Sequence, residues 1–398
     1  MAYIPGLKRS GFYAAFYKKE GRGAIVILKD LKKILESINC FYGKTSENIF
    51  KTLYVTPAHI IAENQYSKIM LDNNIFKTDK SFSFDVEQTL NLIKTFDKKD
   101  TILNAVNTQE STISFTTQNV KITHKVDFKP SELNQISYSE ANFVCSVFGE
   151  DLLKTFDYVS SICNLEEFDN LFIVDKKLSA ISTFYSLILN STSDCLSTNG
   201  KTTTFSLKYE FIRHFLKISS VLQIDQSVFE IYKVGASIVF VVKNIGETQK
   251  LVIQCDSSFN DYSQQLELIR TSILNKLKTI EHIAEFGTTG FTYMCGKIFK
   301  ATKGIDRGTN LIISNKKIFI KVQNEDTELS MQDIYVDSIS YTKKFENFYL
   351  NQPYNNSAFY KFIRSFKEKT INLYVFEENF VNYYVFGNVV DNITIFQK

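Results

Sequence analysis

Apolar positions along the chain follow two rhythms that alternate. Stretches with apolar residues three and four apart read as amphipathic helices with one narrow buried stripe, and they begin near Leu28, Asp85, Glu150, Leu207, Arg270 and Ser357. The first helix of each successive pair carries Leu28, Leu31, Leu35 and Ile38, then Leu152, Leu153, Phe156 and Val159, then Ile273, Leu274, Leu277 and Ile280. The second helix follows an apolar β-run each time. These junctions read Phe82-Ser-Phe84-Asp85-Val86 with Leu90 and Ile93, Phe205-Ser-Leu207 with Phe211, Phe215 and Leu216, and Phe348-Tyr-Leu350 with Phe359, Phe362, Ile363 and Phe366. Asp85 and Ser357 suit N-caps, because a short side-chain oxygen can accept an orphan amide proton of the first turn.

After each helix the period falls to two, the signature of half-buried strands. Examples are 112–116, 121–126, 237–242, 250–254, 311–313, 318–320 and 371–376. A β-run, a helix and further β-runs therefore recur six times, in three pairs. The pair repeats at about 120 residues, the size of a domain rather than of a solenoid unit. The expected fold is α+β, with three tandem domains of two β-α-β-β-β halves, helices on one face and antiparallel sheets on the other. The boundaries fall at a 1–23 extension and at domains 24–137, 138–260 and 261–398. Gly287 to Asn310 reads as a loop longer than its counterparts.

Composition supports a strand-rich protein of abutting domains: 21 Tyr and 35 Phe stand against 15 Gly, 4 Pro and no Trp. The six cysteines, Cys40, Cys145, Cys163, Cys195, Cys255 and Cys295, are scattered singly without zinc-site spacing, and read as small buried hydrophobes in a reducing compartment. No apolar run is long enough to span a membrane, and the basic 1–23 stretch, with Lys8, Arg9, Lys18, Lys19 and Arg22, lacks a secretory core. The expected location is the cytoplasm.

Catalytic signatures are missing. Gly43-Lys44-Thr45 and Gly200-Lys201-Thr202 resemble the end of a P-loop, but Ile38 and Cys195 occupy the positions that need its first glycine, so both triplets read as turns. The histidines His59, His124, His214 and His282 are isolated, there is no nucleophile elbow, and Glu166-Glu167 and Glu377-Glu378 are sequence neighbours rather than a converging pair. The expectation is a protein without catalysis, cofactor or metal.

The threefold pair, with Ala24 to Leu35 as an opening strand and helix and Phe82 to Leu90 as the entry to a second helix, resembles the bacterial-type sliding clamp, the beta subunit of DNA polymerase III. In the third copy, Asn310 to Val322, Asp333 to Ser340 and Tyr354 to Phe366 follow that family's strand, strand and helix order. The resemblance implies a processivity factor that encircles duplex DNA as a head-to-tail homodimer, tethers the replicative DNA polymerase and is loaded by a separate clamp-loader ATPase. It implies that helices line the hole. The windows 28–39, 207–218, 270–282 and 357–368 hold twelve basic residues against five acidic ones, whereas 85–97 and 150–163 hold two against six. The implied DNA contacts are Lys29, Lys32, Lys33, Arg213, Lys217, Lys276, Lys278, Lys361, Arg364 and Lys367, weak enough to permit sliding. The family's partner pocket maps to Phe184, Tyr185, Leu187, Ile395 and Phe396. Phe184 and Tyr185 stand where the family has a polar, Gly-containing stretch, and a core role fits them as well as a peptide-binding one.

A net charge of +3 is compatible with a ring held by topology. A second reading keeps the clamp-like fold without a closed ring, as a monomeric polymerase accessory or late-transcription factor. A third is a β-rich assembly protein with no DNA role. High Lys, Asn, Ile and Phe content suggests an AT-rich genome, consistent with a phage-encoded protein acting in the host cytoplasm.

Overall fold

The computed structural model describes residues 23–42, 52–64, 67–96, 101–107, 109–117, 120–128, 136–160, 169–184, 187–245, 249–257, 264, 268, 271, 275, 281–301, 309–314, 317–323, 328–333, 348–352, 369–378, 381–388 and 391–396. These group into two compact units: Met1–Gly149 with His214–Asp256, and Glu150–Arg213 with Ser257–Lys398.

The elements follow one grammar. Strand β1 (Gly23–Ile27) runs without a connecting residue into helix α1 (Leu28–Tyr42), and the chain continues through β2 (Thr52–Val55), β3 (His59–Glu63) and β4 (Ser67–Asp72). Strand β5 (Phe82–Asp85) then runs directly into α2 (Val86–Ile93), followed by β6 (Thr101–Asn107), β7 (Thr112–Thr116) and β8 (Lys121–Lys125). The next pair is β9 (Phe143–Phe148), α3 (Gly149–Val159), β10 (Asp169–Val174), β11 (Lys177–Phe184) and β12 (Leu187–Thr198), then β13 (Thr203–Lys208), α4 (Tyr209–Leu222), β14 (Val228–Val234), β15 (Ser237–Ile245) and β16 (Gln249–Asp256). Last come β17 (Glu281–Gly287), α5 (Thr288–Ala301), β18 (Thr309–Ser314), β19 (Lys317–Gln323), β20 (Glu328–Asp333), β21 (Phe348–Gln352), β22 (Thr370–Glu378), β23 (Val381–Asn388) and β24 (Asp391–Phe396).

Every strand pair whose register is described is antiparallel, and the pairing is an exchange. The strand that leads into one helix pairs with the meander that follows the other helix: β1 with β6, and β5 with β2. The same exchange joins β9 to β14 and β13 to β10, and again β17 to β22 and β21 to β18. In the first unit the sheets run β1-β6-β7-β8 and β9-β14-β15-β16-β4-β3-β2-β5. In the second they run β17-β22-β23-β24-β12-β11-β10-β13 and β20-β19-β18-β21.

Helices α1 and α2 bury the stripes their spacing predicts, and α3 and α4 bury theirs except for Leu153 and Leu216, which are partly exposed. Leu28, Leu31, Ile34, Leu35, Ile38 and Phe41 of α1 are all at most 5% exposed. Asp85 caps α2, its Oδ1 accepting the Gln88 amide proton at 2.7 Å, an interaction typically worth about 1 kcal/mol. In the first unit Phe215 of α4 packs its ring 5.6 Å from Phe229 and 5.1 Å from Phe240. In the second, Phe172 of β10 stacks on Phe205 at 5.3 Å and meets Phe156 of α3 edge-on at 5.4 Å. Thr155 on the same helix reaches Ser193 at 2.6 Å and Ser191 at 3.2 Å, so hydroxyl pairs satisfy buried polar atoms where α3 lies on β12. Gly149, at the β9–α3 junction, has no room for a side chain. A Cβ there would lie 2.7 Å from the Asp225 and Ile224 carbonyl oxygens.

Several sequence expectations need correction. The third pair does not open with a helix at 270–282. Gln264, Leu268, Thr271 and Asn275 are helical and exposed, but Glu281 already belongs to β17, and the strand-to-helix junction lies at Gly287/Thr288. The expected long loop from Gly287 to Asn310 therefore holds α5. The helix near Leu207 starts at Tyr209, with Leu207 still in β13. Strand β20 precedes the expected 333–340 strand and ends at Asp333; 334–340, like the helix near Ser357 and the 1–22 extension, lies outside the described residues. Cys145 and Cys255 are buried as expected, whereas Cys40 and Cys195 are only partly so. Gly200 serves a turn between β12 and β13: its φ is +74°, and Asn199 Oδ1 accepts the Lys201 amide proton at 2.9 Å. Gly43 to Thr45 lies outside the described residues.

Candidate nucleic-acid interface

The faces opposite the buried stripes supply the candidate interface. On α1, Lys29 is exposed and Lys32 is half-buried, its ammonium 3.8 Å from Glu36 one turn on. Lys33 donates to the Gln223 side-chain oxygen at 3.4 Å, just past the end of α4. Burial pushes the Cys40 thiol up, and the Lys217 ammonium opposes that shift, so the polar edge of α1 and Lys217 of α4 share one electrostatic neighbourhood. Arg213, also exposed, holds its guanidinium 5.6 Å from the Tyr209 ring. Lys33 and Lys217 thus both lie where α1 meets α4. Lys276, Lys278, Lys361, Arg364 and Lys367 lie outside the described residues.

Helix α3 breaks the basic pattern, with Glu150 and Asp157 exposed beside Lys154. Helix α5 restores it. Its exposed positions include Thr289, Tyr293, Lys297 and Lys300, and none of its residues is acidic. Sequence reading passed over this helix because Gly290 and Gly296 weaken its helical signal. The directness of the β17–α5 junction, already visible at Ile27/Leu28 and Asp85/Val86, was the signal that could have found it.

The expected partner pocket has a defined frame. Phe184 and Leu187 are register partners at the end of the β11–β12 hairpin, Leu187 is opposite Ile395, and Phe396 is opposite Tyr383. Phe184, Leu187 and Ile395 therefore occupy one cross-strand row. Tyr185 lies outside the described residues.

Two sheet edges complete the geometry. The last strands of two meanders, β4 and β16, pair with each other, as do β12 and β24. The corresponding last strands of the other two meanders, β8 and β20, stand at the ends of their sheets. β8 reads Lys121-Ile-Thr-His124-Lys125 and β20 reads Glu328-Leu-Ser-Met-Gln-Asp333.

This arrangement of exchanged strands, helices and meanders matches solved structures over nearly its whole length. The Pseudomonas aeruginosa DnaN sliding clamp bound to griselimycin superposes with a TM-score of 0.72 at 11% identity, covering 95% of this chain and 100% of that one. The fold is that of the DNA polymerase III beta sliding clamp. The Streptococcus pneumoniae DNA polymerase III beta chain gives 0.69 at 14% identity over 92% and 97% of the two chains. The Helicobacter pylori beta clamp bound to a DNA ligase peptide gives 0.67 at 11% identity over 94% and 99%. No protein-family model and no curated protein sequence matches the chain. The clamp fold is thus retained with almost none of the sequence, which is consistent with a fold specified by periodicity rather than by a signature motif. Among the described residues no helix is long and apolar enough to cross a membrane, and no group of three or more His, Cys, Asp or Glu could hold a metal ion.

One residue in the clamp-fold edge strand β8 is sensitive to pH. His124 packs edge-on to Phe84, ring centroids 6.4 Å apart, and burial lowers its pKa against the opposing pull of Asp85. The unfolded chain therefore takes up this proton before the folded one does, so stability is full above about pH 6.5 and falls as the pH drops below it. Thermal unfolding at pH 7.5 and 5.5 is expected to show a smaller acid-induced loss in His124→Gln than in the parent. Equal losses would remove His124 as a cause.

Proposed function

We propose that this chain is a sliding clamp: a non-catalytic processivity factor that closes as a head-to-tail homodimer around duplex DNA and tethers a DNA polymerase. The observation that carries this reading is the pair of edges, β8 and β20. Within the chain, last strands of meanders are joined in twos, and these are the remaining two. Lys121 and Lys125 make one edge basic and Glu328 and Asp333 make the other acidic, so the two edges are complementary in charge. Two copies joined this way satisfy both meander edges twice and close the ring, so neither of these edges is left to template further growth.

The three exchanged pairs correspond to domains 24–137, 138–260 and 261–398, six in the dimer. Basic helix faces supply weak phosphate contacts, and the row of Phe184, Leu187 and Ile395, with Phe396 beside it, is the docking place for polymerase and loader peptides. The Helicobacter pylori clamp's bound ligase peptide supports the peptide-binding role. Loading requires a separate ATPase, and the cytoplasm of a host cell is the expected site of action.

Solution mass by light scattering, followed by retention on circular and linearised DNA, tests the proposal. A species of twice 45.8 kDa that stays on circles and runs off linear DNA supports it. A monomer at every concentration sinks the ring and favours a one-sided polymerase accessory or late-transcription factor. Reversing Arg213, Lys217, Lys361 and Arg364 to Glu is expected to shorten polymerase run length about tenfold or more while the dimer persists. Unchanged run length would remove these helices from the DNA-facing wall.

A further inference from the structure

Helix α5 carries an arrangement that duplex tracking does not need. Phe291 is 2% exposed and Thr288 and Gly296 are buried, whereas Tyr293 is 63% exposed. The Lys297 ammonium lies 4.6 Å from the centre of the Tyr293 ring, one turn along, and Lys300 follows on the same side. Among the described helices α5 alone contains no Asp or Glu. A large exposed ring beside two cations on a helix without acidic residues offers a stacking face flanked by positive charge, and the charge selects a polyanion.

Chemistry narrows the polyanion further. A duplex offers phosphates, which Lys297 and Lys300 can hold, but its bases are stacked on one another and give a tyrosine nothing to lie against. An unpaired strand offers both a phosphate chain and open base faces, and stacking on an aromatic side chain tolerates any base. Lys297 sits over the ring, and the ring's large exposure leaves area for a base.

We infer that Tyr293, Lys297 and Lys300 form a binding site for single-stranded DNA. The inference rests on the clamp reading, since it places unpaired template beside a protein that tracks the duplex, but its chemistry is independent of ring closure. The site gives the protein a way to sense the junction where duplex ends, by stacking one base on Tyr293 while the lysines grip flanking phosphates.

Fluorescence anisotropy of the full-length protein tests the site, with labelled oligothymidine and a labelled hairpin duplex of equal nucleotide number. Tyr293→Ala is expected to weaken oligothymidine binding about tenfold and leave the duplex unaffected, while Tyr293→Phe, which keeps the stacking face, binds as the parent does. The double variant K297Q/K300Q is expected to weaken both ligands and flatten the salt dependence. Absence of oligothymidine binding by the parent overturns the inference, as does Tyr293→Ala binding it normally or losing both ligands equally. Thermal melting checks that the variants fold, which the exposure of Tyr293 favours. If circles are retained but Tyr293→Ala changes nothing, the ring stands and this site falls. If Tyr293 governs oligothymidine binding while circles are not retained, the site stands and the ring falls.

Discussion

Replacing Lys121 and Lys125 with glutamate is expected to convert the protein into a monomer of 45.8 kDa and abolish its retention on circular DNA. In the proposed ring these residues give β8 a basic edge that mates with the acidic edge of β20, which carries Glu328 and Asp333. Reversal sets an acidic edge against an acidic edge at each interface, and the ring contains two such interfaces. The backbone ladder alone then has to hold two short edge strands together. The reciprocal reversal, Glu328→Lys with Asp333→Lys, is expected to do the same damage alone and to restore the dimer when both reversals are combined in one chain. Light scattering of the four proteins reads the result directly. A dimer that survives either single reversal, or a combined variant that stays monomeric, would remove β8 and β20 as the mating edges.

Truncating Phe172 to alanine carries the largest expected cost in stability. Its ring is fully buried, stacked on Phe205 at 5.3 Å with only 8° between planes and capped edge-on by Phe156. These three residues come from β10, β13 and α3, so the cluster ties a helix to two neighbouring strands. Removing a buried aromatic of this kind costs about 3–5 kcal/mol, the lost transfer energy plus the cavity left among neighbours that relax only in part. Phe172→Leu, which refills part of the space, should recover a good share of that. The midpoint of urea unfolding followed by circular dichroism measures both; a Phe172→Ala midpoint equal to the parent's would mean that the stack does not anchor this sheet.

The local grammar of the fold was readable in the residues. The stripe Leu28, Leu31, Leu35 and Ile38 fixed the buried face of α1 and Asp85 announced the start of α2, and the strand expected at 112–116 is β7, although Ile113 to Thr116 are all buried rather than alternately so. These signals come from neighbours along the chain. The exchange of strands between the halves of each pair could not be read this way, because nothing in Gly23–Ile27 states that its partner is Thr101–Asn107. The third first-helix was misplaced for a related reason. Between Arg270 and Ile280 the apolar spacing is regular, whereas α5 contains two glycines, so periodicity favoured the wrong segment over the junction at Gly287/Thr288.

For the candidate site, residue type was legible and arrangement was not. Lys33 and Lys217 could be listed as basic helix residues, but that both lie where α1 meets α4 needed the packing of both helices. Leu187 and Ile395 could be matched to a pocket only by resemblance; their direct opposition across β12 and β24 is a property of the ladder. Tyr293 was missed altogether. An isolated tyrosine carries no signal in sequence until the helix that exposes it is known.

The strand exchange also governs how the chain can be made. Gly23 pairs with Ala105, about eighty residues later, so β1 leaves the ribosome roughly 4 to 16 seconds before its partner exists at ordinary synthesis rates. During that interval β1 and the α1 stripe beside it have no sheet to join, and the meander β2-β3-β4 waits likewise for β5. Neither half can finish before the other, so each pair has to fold in one cooperative step dominated by distant contacts, the kind that folds slowly. A nascent chain stalled within the first pair is accordingly expected to be a better substrate for chaperones and proteases than one stalled after Lys125.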